Sequence, residues 1–412
     1  MIHNPMLHRV AYLSNMNNNG FSAVQYLRDR GIDAHVFRFP YEHAHFSPEA
    51  DSFRQDIHEF SHSARWGNVY DIGKFTADDL AEQLAPYTVL FGAGTAPAYV
   101  TRAGRRLDAF IPYGDDIQTL PYRRLARPRQ LLARQQLRAL QRRGIKNTRH
   151  ILMDDAAPEF VSCLNKLSPG GIWHRNTPPA LYLPAYSREN LTRHRSQSRL
   201  YSAIRAAREA HDLLLFSHTR HHWISRPGVE DWIMKGSDKL IRGLALFARR
   251  NPAVNVHLAT FEYGPDVAAS KQLIRDLGIE PLVSWHPLSQ RKEIMMGLAE
   301  ADIGIGALHE SWFSYGVMME ILASGIPFIG RREGALANVA GSYPMVSAGS
   351  AEALAEAFEA YVENPAAWKK MGLEAQQWLA RQIDTSVSLL AEIARTTSPS
   401  PAPNLQRGRT GL

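Results

Sequence analysis

The stretch SYGVMMEILASGIP, Ser314–Pro327, places a glutamate inside an otherwise apolar helical run and ends the run with Gly-Ile-Pro. The apolar residues around Glu320 recur at helical spacing and are Val317, Met318, Ile321 and Leu322. Glu320 therefore lies at the margin of a face that should be buried, where a carboxylate needs a partner. The strand-like PFIG (327–330) follows directly, so the stretch predicts a helix that leads into a strand, as in alternating α/β folds.

The rest of the chain repeats this alternation. Strand-like segments of the first half are RVAYLSN (9–15), DAHVFRF (33–39), TVLFGAG (88–94) and AFIPYG (109–114). Those of the second half are LLLFSH (213–218), NVHLATF (255–261), LVSWHP (282–287), DIGIGAL (302–308) and PFIG (327–330). With 412 residues the chain exceeds one hydrophobic core. We expect two Rossmann-like, doubly wound α/β domains facing a cleft, with ligands at the carboxyl ends of the strands.

Composition excludes several classes of protein. No apolar segment approaches the roughly 20 residues that cross a bilayer, and the N-terminus has no apolar core of signal-peptide length. A single cysteine, Cys163, excludes an internal disulfide and a cysteine-based zinc cluster. These features predict a cytoplasmic protein.

The net charge of +7 is concentrated in one basic segment. Between Asp116 and Asp154 there is no acidic residue, and arginines accumulate on a predicted helix that includes Arg134, Arg138 and Arg142. Three interpretations remain open: a solvated helix face, a nucleic-acid patch in 117–153, or a helix on an anionic membrane surface through 121–149. The nucleic-acid interpretation is the weakest, because no recognisable binding module accompanies the arginines.

The order of motifs in the second half resembles that of the retaining glycosyltransferases of family 4, which have the two-domain GT-B fold. In both, a strand is followed by an arginine and by a Lys-Gly that opens a helix, here Lys235-Gly236, and later by a helix ending like EILASGIP. The resemblance is strong over 216–330 and diffuse before it. We place an N-terminal acceptor domain at 1–186, a linker at 187–209 and a donor domain at 210–375. A helix at 376–395 is expected to return to the first domain, and a disordered tail to occupy 396–412.

The residue types of the second half suit a nucleoside diphosphate sugar, whose leaving group gains negative charge as the glycosidic bond breaks. Lys235 at a helix start and Arg220 beyond a strand end supply cations. The backbone N–H groups of Ser314, Tyr315, Gly316 and Val317 would face the same anion, and Glu320 would accept hydrogen bonds from the ribose. Trp285 and His286 end a strand where the resembling enzymes bind the nucleobase, so the resemblance implies a nucleobase contact there.

The chain also departs from the family pattern. The first glutamate of the family motif has no counterpart at the usual spacing, and Glu310 is the candidate for its role beside the donor sugar. In the first half Tyr113 stands where the family often has a histidine, while Asp116 keeps the acidic position and is expected to hold an acceptor hydroxyl. Gly20 ends a turn after the first strand and is expected at the cleft.

The resemblance therefore implies a retaining transferase that moves a sugar from a nucleotide donor to a hydroxyl acceptor, with no metal and no cofactor. Bacterial lipopolysaccharide, surface polysaccharide or glycolipid biosynthesis is the expected pathway, with peripheral contact at the inner membrane face. The alternatives are another GT-B enzyme, such as a sugar-nucleotide epimerase, and a non-catalytic nucleic-acid-binding protein.

Overall fold

Two parallel β-sheets organise the residues that the computed structural model describes, which are 8–43, 46–122, 130–154, 158–229, 233–309, 313 and 315–397. Each sheet has its own compact unit. The first unit comprises the chain up to Tyr182 and from Gln382 onward, and the second comprises Leu183–Arg381.

The first unit is built on seven strands in the order β3-β2-β1-β4-β5-β6-β7. These strands are β1 Arg9–Leu13, β2 Asp33–Arg38, β3 Ser61–Ser63, β4 Val89–Gly92, β5 Ala109–Phe110, β6 His150–Leu152 and β7 Ile172–His174. Its helices are α1 Asn19–Asp29, α2 Pro48–Asp51, α3 Ala77–Leu84, α4 Ala96–Arg102, α5 Asp115–Gln118, α6 Leu131–Asn147 and α7 Pro158–Leu167. Every pair of neighbouring strands is parallel.

Strand β1 shows why these short segments read as continuous apolar runs. Its side chains alternate between two buried clusters, with Val10 and Tyr12 in one and Ala11 and Leu13 in the other. A parallel sheet is covered by helices on both faces, so neither face of its strands needs polar residues.

The second unit contains six strands in the order β10-β9-β8-β11-β12-β13. They are β8 Leu213–Ser217, β9 Val256–Phe261, β10 Val283–His286, β11 Ile303–Ile305, β12 Phe328–Gly330 and β13 Val346–Ser347. The helices are α8 Arg188–His194, α9 Arg199–Ala210, α10 Ser237–Arg250, α11 Val267–Asp276, α12 Arg291–Leu298, α13 Gly316–Ser324, α14 Ala351–Glu363 and α15 Pro365–Thr396. The two doubly wound, Rossmann-like domains expected from the sequence are confirmed.

The segment expected to link the domains is helical. Residues 187–209 form α8 and most of α9, and α9 packs against α12 within the second unit. Helix α15 belongs to the second unit up to Arg381 and to the first from Gln382. In the first unit its residues Leu390 and Ile393 join the cluster that contains Val10 and Tyr12. Only the first two residues of the tail predicted at 396–412, 396 and 397, lie within the described residues.

Both sheets join two of their strands through a buried aspartate just before a strand. Asp302, before β11, accepts a hydrogen bond from Leu214 N at 2.9 Å, and Asp108, before β5, accepts one from Leu90 N at 2.8 Å. The second oxygen of Asp302 accepts the hydroxyl proton of Tyr361 at 2.9 Å. Asp302 therefore ties β11 to β8 and to α14.

We predict that Asp302→Ala lowers the free energy of unfolding of the second unit by about 2–4 kcal/mol, because it leaves buried donors without acceptors. Asp302→Asn keeps one acceptor oxygen and should cost less. Denaturant unfolding of the two variants beside the wild type measures the difference, and equal stabilities for all three would contradict the role of this carboxylate.

Candidate functional site

Strand order locates the ligand-binding edge of each sheet. In the second unit β8 and β11 are neighbours while the chain continues from β8 towards β9 on one side and from β11 towards β12 on the other. In the first unit β1 and β4 form the same kind of junction. Ligands of open α/β sheets bind at such switch points, beyond the carboxyl ends of the strands. Side chains that follow β8 and β11 are therefore the first to consider in the second unit.

A buried trio of charged and polar side chains lies at the switch point of the second unit. His218, directly after β8, has Nε2 at 2.6 Å from Oε2 of Glu320 in α13. Arg291, the first residue of α12, donates from Nε to Oε1 of Glu320 at 2.6 Å. Both oxygens of the Glu320 carboxylate are thus hydrogen-bonded to a side chain. The partner that a buried carboxylate at this position requires is therefore Arg291, together with His218.

The surroundings of Glu320 keep it ionised. Burial by itself would raise its pKa, but the charge of Arg291 and the hydrogen bond from His218 outweigh burial and lower the pKa to about 2. Because an ionised carboxylate only accepts, Nε2 of His218 carries the proton in this bond. The other ring nitrogen of His218, Nδ1, is buried and has no hydrogen-bond partner.

Lys235 and Gly236 lie at the same edge. The backbone N of Lys235 donates to His222 O at 2.6 Å, and its O accepts from Leu308 N, after β11, at 2.8 Å. Gly236 has a φ of +74°, and a Cβ there would lie 3.1 Å from His309 N. Only glycine combines this left-handed conformation with so close an approach. Helix α10 begins at Ser237, so the predicted Lys-Gly helix start is confirmed.

Arg220 and Lys235 act on one imidazole, that of His222. Burial lowers the pKa of His222, and the neighbouring charges of Arg220, Arg226 and Lys235 lower it further, against the opposing effect of Asp266. Two of the cations predicted for the diphosphate are thus close enough to influence the same side chain. Arg226 is ion-paired with Asp266, so it stabilises the loop between β8 and α10.

Helix α13 begins at the same edge, at Gly316, with Tyr315 as its N-cap. The Tyr315 hydroxyl accepts a hydrogen bond from Ala307 N at 2.9 Å and lies against Gly306, which places the helix start beside the end of β11. The backbone N–H groups of Gly316 and Val317 belong to the first turn, whose donors have no acceptor within the helix. Two further predicted site residues, Glu310 and Ser314, lie outside the described residues.

Trp285 and His286 end β10, the outermost strand on one side of the sheet and two strands away from β8. The Trp285 ring packs 4.9 Å from the ring of His221 and carries the ammonium group of Lys271 at 5.1 Å from its centre. Backbone O of His286 accepts from Glu262 N at 2.8 Å. Both residues thus have packing and hydrogen-bonding roles in the loops around β10.

In the first unit Gly20 and a strained turn follow β1. Ser14, Asn17 and Asn18 have positive φ values of 89°, 54° and 61°. A Cβ on Gly20 would approach Ser14 O to 2.5 Å and the ring of Tyr12 to 2.7 Å, so glycine is required there by space. Backbone strain of this kind persists only where surrounding contacts enforce it, and it occurs often at functional sites.

Asp116 holds loop backbone in the structure, and its expected contact with an acceptor hydroxyl stays a prediction. Its side chain is fully buried, and its two oxygens accept hydrogen bonds from the backbone N–H groups of Gly94 at 2.9 Å, Gly114 at 3.0 Å and Tyr113 at 3.1 Å. Burial raises the pKa of Asp116 to about 7. The carboxyl therefore fixes the loops after β4 and β5 against each other, and it also holds the backbone of Tyr113.

Glu42 is a site candidate that the sequence did not indicate. It accepts hydrogen bonds from Ser14 Oγ and Asn15 N, both at 2.6 Å, and from Phe39 N at 3.0 Å. Burial raises its pKa. It also lines a cavity of about 110 Å³ together with Arg38. No local motif marks Glu42, because two of its three partners, Ser14 and Asn15, lie 28 and 27 positions away in the strained turn after β1.

The basic helix α6 is not the uniform stripe that its sequence suggested. Arg134 is buried, Arg138 is half-buried and Arg142 is exposed beside the ring of Tyr122. Buried positions of α6 also include Leu137 and Gln141, so Arg134 lies on the helix face that packs inward. Residues 123–129, which carry four further arginines, lie outside the described residues.

Neither a metal-ligand cluster nor a membrane span is found in the part of the chain that the structure describes. No group of three or more His, Cys, Asp or Glu side chains there is arranged to hold a metal ion. No described helix combines the length and the apolar character needed to cross a bilayer.

We predict that Glu320→Gln destabilises the second unit in a pH-dependent way. The folded-state pKa of about 2 lies below the ordinary 4.5, so the carboxylate contributes stability that is complete above about pH 4.5 and is lost as the pH falls towards 2. The cost at pH 7 is at most about 3 kcal/mol. Urea unfolding at pH 7 and pH 3 should show a difference from wild type that narrows at pH 3, and a constant difference would contradict the ion pairing. Glu356→Gln, at an exposed position of α14, is the matched control.

Comparison with solved structures finds the same architecture in nucleotide-sugar proteins. HepE of Anabaena, in complex with UDP and glucose, is 13% identical with a TM-score of 0.58, and the match covers 93% of this chain and 98% of HepE. The UDP-GlcNAc 2-epimerase of Neisseria meningitidis, bound to UDP-GlcNAc, is 11% identical with a TM-score of 0.57 and coverages of 93% and 98%. WaaG, a glycosyltransferase involved in lipopolysaccharide biosynthesis, is 14% identical with a TM-score of 0.51 and coverages of 93% and 99%.

Sequence-level comparisons add nothing to this: no protein-family model and no curated protein matches the chain. Identities of 11–14% over almost the whole length indicate a shared fold. This chain therefore has the two-domain GT-B fold.

Proposed function

We propose that this protein is a retaining glycosyltransferase that moves a sugar from a nucleoside diphosphate donor to a hydroxyl acceptor. The observation that carries the proposal is the gathering of Lys235, the start of α13 and the fixed carboxylate of Glu320 around the switch point of the second sheet. A cation, free backbone donors and an ionised acceptor are the groups that a nucleoside diphosphate requires.

Each group has a distinct role in the proposal. Lys235 and Arg220 bind the diphosphate and stabilise the charge that develops on the leaving group. The first backbone N–H groups of α13, those of Gly316 and Val317, bind the same anion. Glu320 uses the lone pairs that His218 and Arg291 leave unoccupied to accept hydrogen bonds from the ribose hydroxyls.

Transfer with retention requires chiefly leaving-group stabilisation and positioning of the acceptor. That requirement suits a first unit in which Asp116 is committed to loop backbone and Tyr113 replaces the histidine of the family. Glu310 remains our proposed contact to the donor sugar. We propose no metal ion and no cofactor, with the nucleotide sugar as co-substrate.

The fold neighbours support a UDP-linked donor and an envelope pathway. HepE was crystallised with UDP and glucose, and WaaG takes part in lipopolysaccharide biosynthesis. We propose that the acceptor is a glycan or glycolipid of the bacterial envelope and that the enzyme works at the cytoplasmic side.

Sugar-nucleotide epimerisation is the second candidate, because one neighbour is an epimerase bound to its UDP-sugar. Epimerisation needs carboxylates free to act as acid and base near the sugar. Among the described residues of the second unit, the buried carboxylates of Asp266, Asp302 and Glu320 are all held by cations or backbone donors. Transfer is therefore favoured.

A panel of UDP-, GDP- and ADP-sugars tests the proposal. Slow release of free sugar and nucleoside diphosphate from one donor, with the anomeric configuration retained, is the expected result. Conversion of the sugar without release would establish the epimerase. Binding of RNA in a salt-sensitive way, with no binding of any donor, would replace both by the nucleic-acid-binding alternative.

We predict that Lys235→Ala weakens the binding of the nucleoside diphosphate by about 1.5–3 kcal/mol, because a charge-assisted hydrogen bond is lost. Isothermal calorimetry with UDP, GDP and ADP measures the effect. Lys369→Ala, an exposed lysine of α15 in the same unit, should leave the affinity unchanged. An unaltered dissociation constant for Lys235→Ala would reject its phosphate role.

Peripheral membrane contact is proposed for the exposed face of α6. Near its start this helix presents Leu132, which is 82% exposed, and nearer its end the basic residues Arg142, Arg143 and Lys146 are exposed. Each cation near an anionic surface adds about 1 kcal/mol of attraction. Because Arg134 is buried, it is not part of this face.

We predict sedimentation with liposomes that contain anionic lipid at low salt, and loss of sedimentation at high salt. Changing Arg142, Arg143 and Lys146 together to glutamine should weaken binding by about 3 kcal/mol, roughly one hundredfold. The matched control changes three exposed basic residues of the second unit, Arg242, Arg249 and Lys369. Failure to sediment, or an equal loss of binding in both triple variants, would indicate that the basic face of α6 is only a solvated helix face.

A further inference from the structure

Arg332, just after β12, is a buried arginine whose backbone is firmly held. Its backbone N–H donates to Ser347 Oγ at 3.0 Å, and its backbone O accepts from the same hydroxyl at 2.9 Å. The side chain is only 8% exposed. The guanidinium carbon lies 4.0 Å from the ring centre of Tyr343 and 5.7 Å from that of Phe313.

The hydrogen bonds of Arg332 are confined to one end of its guanidinium group. Nη1 donates to Ser342 Oγ at 3.1 Å and to Tyr343 O at 3.0 Å. Nε and Nη2 are buried and have no hydrogen-bond partner. These two nitrogens form the side of the guanidinium that binds both oxygens of a carboxylate or phosphate in a forked arrangement. Arg332 therefore keeps an intact two-pronged donor edge inside the protein.

Several other arginines of the second unit have carboxylate partners. Arg291 pairs with Glu320, Arg226 with Asp266 and Arg331 with Glu333. Within the described residues, no carboxylate pairs with Arg332. Contact with the aromatic faces offsets part of the cost of burying its charge, but it leaves the N–H groups at the edge without acceptors. A buried charge in this state is costly unless an anion joins it.

The position of Arg332 connects this donor edge to the candidate site. Its charge acts on the hydroxyl of Tyr315, which in turn is bonded to Ala307 N at the end of β11. The hydroxyl of Tyr343, on which the guanidinium stacks, donates to Phe313 O at 2.8 Å, just before α13. Arg332 thus lies at the carboxyl edge of the sheet, on the β12 side of the switch point. Lys235 lies on the other side, in the segment between β8 and α10.

We propose that the Nε–Nη2 edge of Arg332 is a binding site for a two-oxygen anion of the donor, additional to the diphosphate contacts of Lys235 and Arg220. The proposal rests on the proposed function. Two parts of a nucleotide sugar carry such a group: a carboxylate on an acidic sugar, and a phosphate. An enclosed site favours this pairing, since charge-assisted forked hydrogen bonds are strongest away from water.

Variants of Arg332 test the site through ligand affinity. Arg332→Lys keeps the charge but removes the fork, and Arg332→Met removes both at similar length. Arg249→Lys, at an exposed position near the end of α10, is the matched control. The probes are UDP, UDP-glucose and UDP-glucuronic acid, titrated by calorimetry against proteins whose folding is checked by circular dichroism. Should Arg332→Met fail to fold, Arg332→Lys alone supplies the comparison.

We expect Arg332→Lys to bind at least one probe about tenfold more weakly than wild type, while Arg249→Lys binds all three as wild type does. Loss confined to UDP-glucuronic acid identifies the sugar carboxylate as the anion. Loss shared by all three probes identifies a phosphate. Affinities within twofold of wild type for all three would overturn the site.

A phosphate experiment separates this inference from the proposed function. If wild type binds none of the three nucleotides, the proposed function fails, and the anion site is then judged with inorganic phosphate alone. Phosphate should raise the unfolding midpoint of wild type and of Arg249→Lys more than that of Arg332→Lys. Equal shifts in all three proteins would overturn the anion site as well.

Discussion

The carboxylate of Glu320 sets the arrangement of the second unit's candidate site. Three elements meet on it: the residue after β8, the start of α12 and the body of α13. A buried carboxylate is tolerated only when its charge is matched and its oxygens are bonded. His218 and Arg291 meet that requirement, so moving any one of the three elements would expose an unpaired charge. The start of α13 is thereby fixed beside the end of β11.

Around Glu320, backbone contacts place most of the groups of the candidate site. Gly236 in its left-handed conformation lets the Lys235 segment bond to the chain after β11, and Tyr315 caps the same place from the other side. Polar atoms that lack protein partners then collect at the edge where ligands of this fold bind, among them Nδ1 of His218 and the donor edge of Arg332. Binding groups are therefore concentrated where the sheet changes direction.

The first unit uses the same structural principle with a different chemistry. Asp116 binds the backbone of two loops, and Glu42 binds the strained turn after β1. Asp116 is buried and Glu42 is half-buried, and both have raised pKa values, in contrast to the lowered pKa of Glu320. The difference arises because backbone and hydroxyl donors carry no full charge, whereas Arg291 does.

Local pattern was enough to determine the alternating strands and helices, the Lys-Gly start of α10 and the helix that carries Glu320, because apolar periodicity and glycine act over a few residues. The strands that it missed, such as β3 and β13, are too short to show a pattern. Which residues pair with Glu320 was decided only by the tertiary structure. Arg291 is 29 positions from Glu320 and His218 is 102 positions away, and parallel strand order, which no local signal encodes, brings them together.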